Sequence, residues 1–147
     1  MPSLTIAIPQ DGPLVNIAIG TSSARMQALR AAGASVPTPA SCRGLVDTGA
    51  SVSAIDRQIA QQLGLAPTGF TLIHTPSTGV QPHVAAQFDI SLAIMMDNQH
   101  LHMLPVSFLV IESDLSTQGF GALIGRDVLA LGLLMYHGHA GIMSLAF

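Results

Sequence analysis

Turn-forming residues interrupt this chain at short intervals, and that punctuation limits it to short elements. The 14 glycines and 9 prolines break up its apolar segments. Thr5 to Ile8 alternates apolar and polar residues, as does Leu14 to Ile19, and both read as strands. Asp11-Gly12-Pro13 marks the turn between them. Thr71 to His74, Val84 to Ile94, Leu101 to Met103 and Val106 to Ile111 read as further strands, and Ala122-Leu123-Ile124 as a short buried one. Two last apolar strands flank His137-Gly138-His139-Ala140-Gly141.

Helical patterning is sparse. Ser22 to Ala32 has Ser22 or Ser23 as a cap, Gly33 as a stop, and Met26, Leu29 and Arg30 on one face. A second helix is predicted from Ser53 to Leu63, with Ile55, Ile59 and Leu63 as its apolar stripe and Gly64 as its left-handed cap. A third runs from Arg126 to about Leu131. The expectation is a single domain over residues 1–147. It is mainly β, closed or barrel-like, with two or three short helices.

Apolar residues make up 49% of the chain and charged ones 9%. So few charges leave little polar cover for a monomer, which suits a chain that buries a subunit interface as well as a core. The net charge is −3, there is no lysine, and Arg25, Arg30, Arg43, Arg57 and Arg126 form no basic stripe. Nucleic acid is therefore not the expected partner. Cys42 is the only cysteine, so neither an internal disulfide nor a thiolate zinc site can form. The longest apolar stretch, Val128 to Tyr136, is broken by Gly132 and too short to span a bilayer. The first residues lack the basic and apolar blocks of a signal peptide. The expectation is a soluble, cytoplasmic protein without a membrane partner.

Two motifs carry the chemistry. Gly44-Leu45-Val46 runs into Asp47-Thr48-Gly49-Ala50-Ser51, and much later Leu123-Ile124-Gly125 runs into Arg126-Asp127-Val128-Leu129. An isolated Asp-Thr-Gly is an ordinary strand-end turn; the second apolar run ending in glycine makes the pair specific. Together they resemble the retropepsin family of aspartic proteases, over about Gly44 to Leu133.

The resemblance implies peptide hydrolysis by an activated water. Two close carboxyl groups cannot both ionise, so they share a proton, one acting as base and the other as acid. Asp47 is then the catalytic group, with Thr48 and Gly49 shaping its loop. None of Asp11, Asp56, Asp89, Asp97, Glu112, Asp114 or Asp127 is followed by Thr-Gly, so the chain supplies half a site. A homodimer supplies the rest by symmetry. Extended polypeptide is the implied substrate, contacted by Ala50 and by a flap tip at Pro76, Ser77, Thr78 and Gly79. Leu123, Ile124 and Gly125 pack behind the loop. No cofactor or metal is expected.

Three features depart from or qualify the family pattern. Ser51 stands where relatives place an aspartate, so Arg126 lacks its usual ion-pair partner. Ala50 lacks the hydroxyl of pepsin-like relatives, which predicts a less acidic optimum. His100-x-His102 and His137-x-His139 have metal-binding spacing, but no cysteine or full carboxylate set accompanies them. The apolar ends could interleave with a partner's, as family members do, or pair within the chain. The rival to catalysis is a silent or latent dimer that binds peptides or assembles other chains.

Overall fold

The structure, a computed structural model, describes residues 1–74 and 79–147. The apolar runs between turn residues become strands. In chain order these begin with β1 (Ser3–Ala7), β2 (Leu14–Thr21), β3 (Ala40–Val46) and β4 (Ala54–Asp56). They continue with β5 (Gly69–Ile73), β6 (His83–Met95), β7 (Leu101–Met103) and β8 (Phe108–Ser113). The last are β9 (Ala122–Ile124), β10 (Leu133–His137) and β11 (Ile142–Ala146). Three short helices lie among them: α1 (Ser23–Ala31), α2 (Arg57–Gln62) and α3 (Arg126–Leu129).

The main sheet runs β2-β3-β9-β4-β8-β6-β5, and a further pairing of β2 with β6 closes it into a ring. The 13-residue β6 makes this possible. Its first half pairs with β5 and β8, and its second half with β2 and β7. Inward-facing Ile17, Ile19, Ile55, Ile90, Ile94, Ile124, Val110 and Val128 fill the ring and are essentially inaccessible. Each such side chain contributes about 1.5–3 kcal/mol through burial.

β3 and β9 lie side by side in parallel, with Leu45 opposite Leu123 and Val46 opposite Ile124. This pairing brings the two sequence motifs together. β4 fits between β9, antiparallel, and β8, parallel.

One expectation needs correction, and the sequence leaves two placements open. Ala54-Ile55-Asp56 opens no helix; it is β4, and α2 starts only after Asp56, whose carboxylate caps it by accepting the Gln58 N–H at 2.8 Å. The segment is too short for its strand period to stand out beside the Ile55-Ile59-Leu63 spacing. α1 is capped by Ser22 as expected, yet none of its residues is buried, so it rests on the surface with Met26 and Leu29 only half-covered. β1 does not pair with the strand across the Asp11-Gly12 turn. It joins a separate sheet, β1-β11-β10, so the two chain ends pair with one another inside the chain.

Candidate active site

Asp47 stands at the open end of β3, where the strand leaves the ring. Its N–H still donates to Ile124 O at 3.0 Å, so the parallel β3–β9 pairing fixes the backbone up to the carboxylate itself. The chain then turns. The Gly49 N–H donates to Asp47 Oδ1 at 2.9 Å, and the Ala50 N–H donates to Asp47 O at 3.3 Å. A backbone N–H aimed at a carboxylate holds it in one orientation. Asp47 is half-buried, while Thr48 and Gly49 are exposed.

The far end of the loop is fastened by a residue that the sequence pattern did not single out. Asp127 Oδ2 accepts the Ser53 N–H at 3.0 Å, and its Oδ1 accepts the Ser53 hydroxyl at 2.7 Å. Oδ1 also takes the Val128 N–H at 2.9 Å. The Ser53 oxygen in turn accepts the Gly125 N–H at 2.9 Å. Asp127 and Ser53 are 74 positions apart, and only the β9-to-α3 turn brings them together. The signal in sequence was an acid two residues after Gly125, a position overshadowed by Arg126.

Gly125 has no room for a side chain. A Cβ there would lie 2.9 Å from Val52 C and 3.0 Å from Ser53 N, both backbone atoms of the loop. Arg126 holds the loop through its backbone, its N–H donating to Ala50 O at 2.9 Å. Among the described residues its guanidinium forms no ion pair, and it is exposed. Leu123 and Ile124 belong to β9; Ile124 is buried in the ring.

Asp47 and Ala50 line a groove of about 550 Å³ that also takes in Thr71, Leu72, Ile73 and His74 of the β5 strand and its exit. Gln87, Ile111 and Leu123 line it too. The β5–β6 hairpin is thus one wall and the Asp47 loop the other. Of the expected flap tip, Gly79 is described, with φ +60 and outside any strand. Pro76, Ser77 and Thr78 lie outside the described residues. Among the described residues no group of three or more His, Cys, Asp or Glu could hold a metal ion, and His137 Nδ1 accepts the Ala140 N–H at 3.0 Å. No helix of the described residues is long and apolar enough to cross a membrane.

Comparison with known proteins agrees with this geometry. No curated protein sequence matches the chain. Among solved structures, a retropepsin-like aspartic protease from Rickettsia conorii is similar in fold, with a TM-score of 0.56 and 19% identity. That match covers 97% of this chain and 89% of the other. The retroviral protease-like domain of Ddi1 from Leishmania major matches with a TM-score of 0.40 and 14% identity, over 83% of this chain and 79% of that one. A family model described as aspartyl protease matches residues 33–128, from the loop before β3 into α3. With both motifs inside that span and the retropepsin-like fold around them, the chain belongs to the aspartyl protease family.

Proposed function

We propose that the protein is an aspartic endopeptidase whose active site forms between two copies of the chain, each supplying Asp47. The observation that carries this reading is the Asp47 carboxylate, held by the Gly49 N–H at 2.9 Å and lining a groove of about 550 Å³. The whole chain, residues 1–147, acts as one domain.

The hydrogen bonds support the need for a second copy. Among the described residues Asp127 is the one other acid fastened to the loop, and both its oxygens are engaged by Ser53. It is not free to share a proton with Asp47. A two-fold partner brings a second Asp47 loop instead. Thr48 and Gly49, exposed in the single chain, face such a partner. The paired carboxyls share one proton: the ionised one takes a proton from water as it attacks the peptide carbonyl, and the protonated one gives its proton to the leaving amine. No cofactor enters this chemistry.

Substrate is extended polypeptide. It lies along the groove, with Ala50 on one side and the β5–β6 hairpin on the other, and Pro76, Ser77, Thr78 and Gly79 are assigned to substrate contact as the family's flap tip. β5 is an edge strand of the sheet, which suits pairing with an extended chain. Leu123, Ile124, Gly125 and Arg126 support the loop from behind. With alanine at position 50, no hydroxyl stabilises the ionised dyad, so activity peaks at a less acidic pH than in pepsin-like enzymes. A cytoplasmic, reducing setting suits a chain whose one cysteine is free.

Casein cleavage between pH 3 and 7, with sedimentation of the same samples, tests the reading. Asp47→Asn lowers the rate by about 10²- to 10⁴-fold while leaving the dimer intact. Equal cleavage by variant and wild type defeats the assignment of Asp47. A stable dimer that cleaves nothing at any pH favours the peptide-binding module.

A further inference from the structure

The groove beside Asp47 has an uneven charge inventory. Of the described residues that line it, only Asp47 and His74 can carry charge. The remaining walls are apolar, as at Val52, Ile73, Ile111 and Leu123, or neutral and polar, as at Gln87 and Ser113. The chain has no lysine, and none of its five arginines lines this groove. Among the described residues, His74 is therefore the one side chain lining the groove that can carry a positive charge.

We propose that His74 sets substrate specificity by selecting a glutamate or aspartate side chain in the peptide that occupies the groove. The inference rests on the protease reading above and names the class of side chain that the site prefers. His74 directly follows β5, on the hairpin wall opposite the Asp47 loop, and it is exposed. No ion pair within 4.0 Å joins it to Asp47 among the described residues. Mostly apolar walls strengthen its attraction for a carboxylate relative to open water.

The other charged groups around it do not reverse the preference. His83 sits on β6 opposite Ile73 and adds a second imidazole of the same sign. Glu112, on β8 between the groove-lining Ile111 and Ser113, is held by Arg57 Nε at 3.0 Å. Asp47 repels an acidic side chain only if it lies against the reacting carboxyls. The acidic position is therefore displaced along the peptide from the scissile bond, toward the hairpin.

The preference has a pH window. A glutamate in a peptide is ionised above roughly pH 4.3. Attraction needs a positively charged imidazole as well, so it is expected to be weaker at pH 8 than at pH 5.

Cleavage-site profiling of a proteome-derived peptide library at pH 5 and pH 8 tests this, with wild type, His74→Gln and His83→Gln in parallel. The expected result is enrichment of Glu and Asp over Gln and Asn at one fixed position from the cut. Its size is about fivefold at pH 5, as for a partly solvated ion pair, with little at pH 8. His74→Gln abolishes the enrichment and His83→Gln retains most of it. Enrichment that survives His74→Gln, or that disappears only with His83→Gln, overturns the proposal. If wild type cuts nothing, the catalytic reading has failed, and retention of the same library on immobilised Asp47→Asn protein decides the inference by itself. Acidic peptides held at pH 5 and lost with an added His74→Gln change support it; indifference to acidity overturns it.

Discussion

The two walls of the groove are built in opposite ways. The loop from Asp47 to Ser53 is tied at both ends and in its middle: Asp47 to Ile124 and Gly49, Ala50 to Arg126, Ser53 to Asp127 and Gly125. The facing hairpin has one bonded neighbour for β5 and a bare apolar face, with Phe70 at 69% exposure and Leu72 and Val84 at 59%. A group that must meet a developing charge gains from being held in advance. A wall that must accept varied peptides gains from unspent apolar surface. The first wall is predicted to be sensitive to small substitutions and the second tolerant of them.

Gly125→Ala is the hardest test of the first wall. The added methyl meets backbone atoms of Val52 and Ser53 at 2.9 and 3.0 Å, and neither can rotate away as a side chain would. The loop itself must shift. The expected loss is about 3 kcal/mol in urea denaturation, at the upper end for overpacking, together with loss of casein cleavage. A variant within about 0.5 kcal/mol of wild type would mean that the loop is not braced from behind.

Next in size is the Asp127–Ser53 contact. Asp127→Ala leaves the Ser53 N–H and hydroxyl without their acceptor, at a cost of about 1–3 kcal/mol. Ser53→Ala removes one side of the same contact and costs less. Because the two residues share one network, the double variant should be less destabilised than the sum of the singles by about 0.5 kcal/mol or more. Strict additivity would show that the contacts act separately. Arg126→Ala, which removes an exposed guanidinium with no ion pair among the described residues, provides the near-neutral control.

These residues mark where sequence reading succeeds and where it stops. Both motif strands, most other strands and the caps at Ser22 and Gly64 were legible, because each rests on local periodicity or on a backbone preference of one residue. β4 was not: three residues show no period, and it exists because β8 and β9 hold it on both sides. The β1–β11 pairing joins residues at opposite ends of the chain, such as Ser3 and Ala146, with nothing local to announce it. Asp47 was legible through its Thr-Gly. Its brace at Asp127 was not, since a single acid beside a more conspicuous arginine gains meaning only once Ser53 is seen beneath it. The groove's charge inventory likewise required the hairpin to be placed.

Cys42 gives a milder probe of the braced wall. It lies on β3 beneath Gly121, and burial, reinforced by the negative charge of Asp56, pushes its thiol from an ordinary 9.0 up to about 11. A raised thiol value favours the neutral form in the folded chain, so this contribution to stability is complete below pH 9 and is lost as pH rises toward 11. Cys42→Ser should flatten that part of the stability curve. Alkylation by iodoacetamide at pH 8 should be slow in the folded chain and fast in urea. Fast labelling of the folded protein would show that this side of the ring opens readily.

The smallest effect on stability is expected on the hairpin. Leu72 is 59% exposed, so Leu72→Ser removes little buried surface and should change unfolding free energy by no more than about 0.5 kcal/mol. Yet Leu72 lines the groove, and a bound peptide would cover it. If the bare face is there for substrate, the change should raise KM by about two- to tenfold, the worth of a partly covered aliphatic side chain, with kcat little altered. The split between the two constants is the informative part. A fall in kcat at constant KM would mean that the hairpin shapes the reacting geometry, and the contrast between a held wall and an accepting wall would then be lost. Stability falling by as much as in Asp127→Ala would break it from the other side, by showing that the hairpin is braced as firmly as the loop it faces.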